Sequence, residues 1–175
     1  GADMGAVDDA GNSAMHSASK QGHAEVIEAL ACAGADCNQT DTNGKTPLWT
    51  GSFSGHLGCV EVLLQRGADA NIVCNDGVSP LFLASQNGNC EVVEALLRGG
   101  ADVNKTRKDG ATPISIASGF GHCNVVSALI CWGADVNTAR DDGATPLLIC
   151  SRNGDCDIVN ALLCGGADVN KAQKD

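Results

Sequence analysis

Ten cysteines and four histidines are the side chains of this 175-residue chain that could bind a metal, form disulfides or act as nucleophiles. No C-x-x-C pair occurs, and no histidine stands at metal-ligand spacing from a pair of cysteines, so we expect no metal site. Six of the cysteines instead recur at multiples of 33 residues, in two columns: Cys90, Cys123 and Cys156, and Cys32, Cys131 and Cys164.

The same spacing argues against disulfides within a column. Equivalent positions on stacked helices lie about 8 to 10 Å apart, whereas the Cα atoms of a disulfide lie about 4.4 to 6.8 Å apart. We therefore interpret the thiols as small apolar core residues. This interpretation predicts a reducing, intracellular location in the cytoplasm or the nucleus.

A catalytic Ser-His-Asp arrangement is the other chemistry that the residue types allow. The chain has no Gly-x-Ser-x-Gly elbow, P-loop lysine motif or dinucleotide fingerprint in a strand-turn-helix context. Its serines, histidines and aspartates recur at fixed positions where a helix cap, an interhelical turn or a hairpin explains them. We predict a protein that is not an enzyme and that needs no cofactor.

The elements that position these residues repeat with a period of 33. Asp36, Asp69, Asp102, Asp135 and Asp168 are each 33 residues apart, and similar phrases such as "DGATPI" and "DGATPL" keep the same spacing. A fixed period of this length is typical of a solenoid. We expect a single array over residues 1–175, with complete units beginning at residues 8, 41, 74, 107 and 140 and partial units at 1–7 and 173–175.

The unit that begins at Arg107 illustrates the expected local structure. Asp109-Gly110 predicts a turn, and Thr112 can cap a helix whose first turn contains Pro113. Apolar spacing predicts helices over about 113–119 and about 124–131. The polar remainder, "ADVNTARDDG", is expected to form an extended hairpin that leads into the next unit.

Charge and hydropathy exclude two classes of partner. The formal net charge is −10, from 11 Lys and Arg against 21 Asp and Glu, and neither half of the chain is basic, so we expect no nucleic-acid binding. No apolar run approaches about 18 residues, so we expect no membrane insertion.

The segment "DGATPLLICSRNGDCDIVNALLCGGADVN" resembles an ankyrin repeat, and the resemblance covers nearly the whole chain. It implies an all-α solenoid of stacked antiparallel helix pairs with protruding β-hairpin loops. It also implies a non-catalytic module that binds another protein, whose identity the sequence does not give, through a concave face and the hairpin tips. Two alternatives remain: a targeting or regulatory array of a larger protein with a separate catalytic domain, and a structural spacer with no specific ligand.

Mapped onto this chain, the resemblance assigns the binding surface to hairpin tips and to the ends of the first helices. The tip positions are Thr42, Asn43, Lys45, Asn75, Asp76, Val78, Lys108, Asp109, Ala111, Asp141, Asp142 and Ala144. The helix positions are Phe53, Ser54, Gln86, Asn87, Gly119, Phe120, Arg152 and Asn153.

Three aromatic residues stand out as candidate anchors of an interface. Phe53 and Phe120 occupy helix ends where other units have mainly polar residues; each ring could instead fold back over a neighbouring glycine, Gly51 or Gly119. Trp132 precedes a "GAD" triplet and could instead cap the end of its own second helix.

Departures from the repeat pattern carry their own expectations. The histidine that usually follows "TPL" survives only as His16, so the hydrogen bond between units that the family makes through that ring is in doubt where Trp49, Phe82, Ser115 and Leu148 replace it. The Gly-His pair becomes Gly-Asn at Asn89 and Gly-Asp at Asp155. Gly51 replaces an expected alanine, which costs about 1 kcal/mol of helix propensity and makes its helix the candidate weakest point.

The hairpin asparagines Asn38, Asn71, Asn104, Asn137 and Asn170 recur as strictly as any residue. Turn hydrogen bonding accounts for them. The resemblance also implies that such an asparagine can be hydroxylated by an oxygen-dependent enzyme, and the sequence contexts of Asn104, Asn137 and Asn170 are compatible with this modification.

Both ends of the sequence fall inside a unit, so we expect this chain to be part of a longer array. The fifth unit retains the apolar residues of an interior unit. Without a neighbour to cover them, these residues predict fraying or association at the C-terminal unit.

Overall fold

The computed structural model describes residues 5–171, and within these residues it contains ten helices and no strand of regular length. In chain order, α1 to α10 span Ala14–Gln21, Ala24–Cys32, Pro47–Ser54, Leu57–Gln65, Pro80–Gln86, Cys90–Arg98, Pro113–Gly119, Cys123–Cys131, Pro146–Asn153 and Cys156–Cys164. The partial unit expected at 173–175 and the first four residues of the one expected at 1–7 lie outside this range.

The helices are arranged as five pairs in two layers. Each odd-numbered helix packs on the even-numbered helix that follows it, on the previous odd-numbered helix and on the next one. The even-numbered helices contact one another in the same order and form the second layer. This arrangement confirms the all-α solenoid of stacked helix pairs.

Hydroxyl caps start four of the five first helices as the sequence predicted. The side chains of Thr46, Ser79, Thr112 and Thr145 each accept a hydrogen bond from the backbone N–H three residues later, at 3.1 to 3.2 Å. A proline follows each cap at the first helical position, where its missing N–H costs nothing. In the fourth pair, α7 spans the predicted 113–119, and α8 begins one residue before the predicted 124.

The loops between pairs are tighter than the expected extended hairpins. In the fourth pair, the N–H of Arg107 donates to the carbonyl of Ala111 at 2.8 Å and closes a turn of five residues. Among residues 5–171 the only strand-like pairing is one isolated antiparallel bridge, between Val7 and Ser13. The loops lack longer ladders because their outer backbone groups bond to the neighbouring loop, as when Thr42 N–H donates to Ala10 O at 3.1 Å.

A continuous core of aliphatic side chains joins all five pairs. Leu63, Leu96, Leu129 and Leu162 hold equivalent positions on the second helices of the last four pairs, and each is completely buried; their equivalent in the first pair, Leu30, is half-buried and packs against the same core. Every pair therefore contributes the same face of its second helix to one shared core. Leu, Ile, Val and Ala make up most of the buried apolar residues, as the low aromatic content predicted.

The interpretation of the cysteines as core residues is correct for only part of the set. Cys37, Cys59, Cys74 and Cys150 are buried. Members of the two columns lie at the ends of second helices. Cys90 and Cys123 are half-buried and pack against the core. The interpretation is wrong for Cys32, Cys131, Cys156 and Cys164, which are exposed because side chains at these helix ends reach solvent. All ten thiols are free in the structure.

The fifth pair covers its apolar residues less completely than the third. Leu81, Phe82 and Leu83 of α5 are buried, whereas their equivalents on α9, which are Leu147, Leu148 and Ile149, are half-buried. On the second helix, Leu97 is 5% exposed and its equivalent Leu163 is 41% exposed. An apolar surface is thus present on the outer side of α9 and α10.

Candidate protein-binding face

The candidate site is the surface formed by the turn tips and the exposed sides of α1, α3, α5, α7 and α9, which we call the recognition face. Of the predicted tip residues, Lys45, Val78 and Asp109 are half-buried, and the others remain exposed: Thr42, Asn43, Asn75, Asp76, Lys108, Asp141 and Asp142. Ala111 and Ala144 are only 1% and 3% exposed, so assigning these two residues to the exposed tips was wrong. They sit directly before a cap residue and pack inward.

Backbone bonds between successive tips give several of these residues a structural role. Thr42 donates from both its N–H and its hydroxyl to the carbonyl of Ala10, at 3.1 and 2.9 Å. Asn75 donates from its N–H to Asn43 O at 2.8 Å and from its side chain to Thr42 O at 3.2 Å. These bonds hold the tips of the first three pairs at fixed spacing.

A chain of charges connects the tips of the fourth and fifth pairs. Asp109 accepts a hydrogen bond from Arg107 Nε at 2.9 Å and also lies 3.6 Å from Arg140, which itself lies 3.7 Å from Asp142. The guanidinium of Arg107 holds the pKa of the Asp109 carboxyl well below its ordinary value. Neither arginine was singled out in the sequence, although both stand directly before a tip that was.

Phe53 ends a stack of three side chains on the recognition face. The ammonium of Lys45 lies 4.6 Å from the centre of the Trp49 ring, and the Phe53 ring stacks on Trp49 at 5.8 Å between centroids. The three nearest atoms around Gly51 come from other residues, so Phe53 lies on Trp49 and not over the glycine. Phe53 remains 54% exposed.

Trp49 resolves one of the doubts raised by the missing histidines. The His16 ring contacts Lys45 O in the second pair at 2.9 Å. Trp49 stands at the equivalent position and donates from Nε1 to Val78 O in the third pair at 3.1 Å. The bond between units that was in doubt is therefore present at Trp49, where the indole N–H replaces an imidazole N–H.

Phe120 follows the last residue of α7 and is 56% exposed. Its ring stacks on His122, with 6.3 Å between centroids and an angle of 14°. A Cβ added at Gly119 would lie 3.4 Å from Cγ2 of Ile149. Phe53 and Phe120 thus both belong to the first-helix layer, on the second and fourth pairs.

Some of the predicted residues at the helix ends make hydrogen bonds between pairs, and others are only partly or fully exposed to solvent. Asn87 and Asn153 donate from Nδ2 to the carbonyls of Phe53 and Gly119, at 2.9 and 3.0 Å, so each joins its own helix pair to the one before it. Gln86 and Gly119 are half-buried, and Arg152 is exposed.

Trp132 lies in the other layer of the array. It is the C-terminal cap residue of α8, where its N–H donates to the helix, and it is 47% exposed. The equivalent residues Ala33, Arg66, Gly99 and Gly165 cap their helices through the same backbone group, so this bond does not decide between the two roles predicted for the Trp132 side chain. The structure does not bring Trp132 together with Phe53 and Phe120.

The hairpin asparagines bond across the junctions between pairs. Asn38, Asn71, Asn104 and Asn137 each accept from the N–H of the aspartate in the next pair at 2.8 Å. The hydrogen-bonding explanation is confirmed for these four, with the partner in the neighbouring turn. Asn104 and Asn170 are exposed and Asn137 is half-buried.

Residues 5–171 contain no group of three or more His, Cys, Asp or Glu side chains arranged to hold a metal ion. Over the same range, no helix has both the length and the apolar character needed to cross a bilayer.

Comparison with known families agrees with the fold. A family model described as ankyrin repeats in three copies matches residues 1–76 and 81–173, and the chain belongs to the ankyrin-repeat family. Repeats of this family are generally protein–protein interaction modules, and their fold is typically non-catalytic. No curated protein matches the chain.

Proposed function

We propose that this protein is a non-catalytic module that binds a partner protein through the recognition face. The observation that carries the proposal is the pair of exposed aromatic rings, Phe53 and Phe120, at 54% and 56% exposure on the same layer of helices. Large aromatic side chains that can be buried on association are the usual energetic anchors of interfaces.

The rest of the recognition face favours specific binding over a spacer role. Phe53 is held in place by its stack on Trp49, which is itself fixed by the bond to Val78 O. A preorganised ring loses little conformational entropy when a partner covers it. A spacer would need neither the exposure nor the fixation of this ring.

The direct test compares binding by aromatic variants and a matched control. Phe53→Ala and Phe120→Ala should each weaken partner binding at least about tenfold with the unfolding midpoint nearly unchanged. Lys20→Ala changes the residue equivalent to Phe53 in the first pair and should have little effect on binding. Retained binding with a large loss of stability in the phenylalanine variants would refute the proposal.

A targeting or regulatory array attached to a separate catalytic domain is the second candidate. In this candidate the array binds its partner through the same recognition face, and binding brings the attached catalytic domain to that partner. The complete reading frame and the activity of the full-length product decide this point. Proteomic capture with the wild-type array and a Phe53→Ala/Phe120→Ala control would identify the partner in either case.

We also propose an intracellular location and hydroxylation of hairpin asparagines. Ten free thiols support the location, because oxidising compartments favour disulfides. Exposure of Asn104 and Asn170 supports access for an oxygen-dependent hydroxylase, with half-buried Asn137 as the third candidate. Peptide mass spectrometry after treatment with an asparaginyl hydroxylase should show the addition of one oxygen atom at these residues, and unmodified peptides would exclude them.

A further inference from the structure

Hydrogen bonds along the array are unevenly distributed over the four junctions between neighbouring helix pairs. Three junctions have a backbone bond between tips: Thr42 N to Ala10 O at 3.1 Å, Asn75 N to Asn43 O at 2.8 Å and Asp141 N to Asp109 O at 3.0 Å. The equivalent bond at the third junction, between α5–α6 and α7–α8, would join Lys108 N to Asp76 O. The described residues do not form it.

A second kind of bond is missing at the same junction. The side-chain amides of Asn38, Asn71 and Asn137 donate to Gly67 O, Gly100 O and Gly166 O at 3.4, 2.9 and 3.1 Å. Asn104, which faces the third junction, accepts from Asp135 N but makes no equivalent donation within the described part of the chain.

A third directional contact is absent at Phe82, as it also is at the fourth junction, where the hydroxyl of Ser115 bonds to Thr112 of its own pair. Phe82 stands where His16 and Trp49 make hydrogen bonds to the following pair. A benzene ring has no donor, and Phe82 is instead covered by the guanidinium of Arg107 at 5.0 Å from its centre. The hydrogen bonds that remain across the third junction are from His122 to Gln86 O at 2.9 Å and from Asp135 N to Asn104 Oδ1 at 2.8 Å.

Apolar packing continues across this junction without interruption. Leu96 of α6 and Ile114, Val126 and Leu129 of the following pair are completely buried in the common core. Hydrophobic contact holds surfaces together without fixing an angle, whereas hydrogen bonds weaken steeply when they are misaligned. Apolar contact therefore holds the third and fourth pairs together, while fewer hydrogen bonds fix the angle between them.

We propose that the array bends at this third junction, so that α1–α6 and α7–α10 move as two blocks. The motion belongs to the shear type, in which packed helices slide by small amounts over an apolar interface. Phe53 lies in one block and Phe120 in the other, so bending changes their separation. That consequence for recognition rests on the proposed function, whereas the bending itself does not.

Residual dipolar couplings measured by NMR on the free 175-residue protein test the joint without any partner. Couplings from α1–α6 should fit one alignment tensor, and those from α7–α10 should fit a second tensor of different magnitude. A single tensor that fits all ten helices, or a division at another junction, would overturn the proposal.

A matched pair of surface substitutions tests its cause. Asn75 donates from its side chain to Thr42 O, and Lys108 is the exposed residue at the equivalent position of the next tip. Lys108→Asn should add this bond at the third junction, and Asn75→Lys should remove it at the second. Neither change touches the core, so both variants should fold.

Hydrogen exchange at two equivalent amides supplies the readout. The N–H groups of Asp102 and Asp135 each donate to an asparagine Oδ1 at 2.8 Å, at the second and third junctions. In the wild type, Asp135 should exchange faster than Asp102. Lys108→Asn should slow Asp135 by about two- to tenfold, the effect of one net hydrogen bond, and Asn75→Lys should accelerate Asp102. Equal protection in the wild type, or no response to either substitution, would overturn the proposed cause.

Discussion

Asn87 of the third pair donates from Nδ2 to the carbonyl of Phe53 at 2.9 Å, and in this way it caps the C-terminal end of α3 in the second pair. The next pair reaches the equivalent carbonyl, Gln86 O, with the ring of His122, also at 2.9 Å. Histidine and asparagine donors alternate along the chain. His56 of the second pair bonds to Lys20 O, and Asn153 of the fifth pair bonds to Gly119 O. Every junction therefore has one side chain on this carbonyl, supplied by either of two positions in the sequence.

This alternation predicts a rescue experiment in the fourth pair. His122→Asn reproduces the residue of the third pair at that position, Asn89, and should destabilise the protein by about 1 kcal/mol through the lost bond to Gln86 O. Adding Phe120→Asn recreates the Asn-x-Asn arrangement of the third pair and should recover most of that loss.

Urea unfolding of the two variants and of Phe120→Asn alone measures the effect. Because the ring of His122 already occupies Gln86 O, Phe120→Asn by itself should change stability little. Stabilities that add independently, with no rescue in the double variant, would contradict the shared role of the two positions.

The sequence predicted the helices well because their determinants are local. Thr112 and Pro113 start α7 by satisfying the free N–H groups of its first turn, and the 33-residue period places the same start in other pairs. It was harder to predict that an asparagine in one pair would replace the histidine that donates to the equivalent carbonyl in another pair. The sequence showed that asparagine replaces histidine at Asn89, but it did not indicate that Asn87, two residues earlier, donates to the equivalent carbonyl.

Burial of individual side chains was the other limit of the sequence. Cys131 and Cys59 are the same residue type in similar apolar contexts, yet one is exposed at a helix end and the other is buried. Ala111 is next to a turn tip but points into the core. The period of a repeat fixes which positions are equivalent, and the face that each position presents depends on the packing of two neighbouring pairs.

Gly51→Ala should stabilise the protein by about 1 kcal/mol, the difference in helix propensity between the two residues. The site has room, because an added Cβ would lie 3.6 Å or more from its nearest neighbours, which is ordinary van der Waals contact. Alanine already occupies the equivalent positions Ala18, Ala84 and Ala117. Thermal or urea unfolding measures the gain.

Gly55→Ala is the matched control in the same helix pair. Gly55 has a φ of 75°, and an added Cβ would lie 2.9 Å from the side-chain nitrogen of Asn89. This variant should be less stable than the wild type because alanine is strained in that conformation. Equal effects of the two substitutions would show that helix propensity does not limit this helix.

Acid should weaken the charge network at the last two tips. The pKa of Asp109 is lowered in the folded protein from the ordinary aspartate value of about 3.9. The contribution of this carboxylate to stability is therefore present above that pH and is lost as the pH falls through the folded pKa. Asp109→Asn should therefore be less stable than the wild type at neutral pH, and the difference should shrink below about pH 4. Unfolding curves at several pH values measure it, and a difference that is independent of pH would contradict the role of the carboxylate.

The thiols should react in two groups under native conditions. Burial raises the pKa of Cys59 and of Cys150, so little nucleophilic thiolate forms there. A maleimide should label exposed Cys32, Cys131, Cys156 and Cys164 first. After denaturation without reductant, close to ten thiols should react, and intact disulfides at that stage would contradict the intracellular location.

The fifth helix pair should be the least protected of the five in the isolated 175-residue protein. Leu163 is 41% exposed where its equivalent in the third pair, Leu97, is 5% exposed, and the outer side of α9 is only partly covered. Apolar surface that no neighbour covers contributes less to stability and favours association. Amides of α9 and α10 should exchange faster than those of α5 and α6, and a fused polar repeat after the fifth pair should slow them. Equal protection of the third and fifth pairs in a strictly monomeric sample would contradict this expectation.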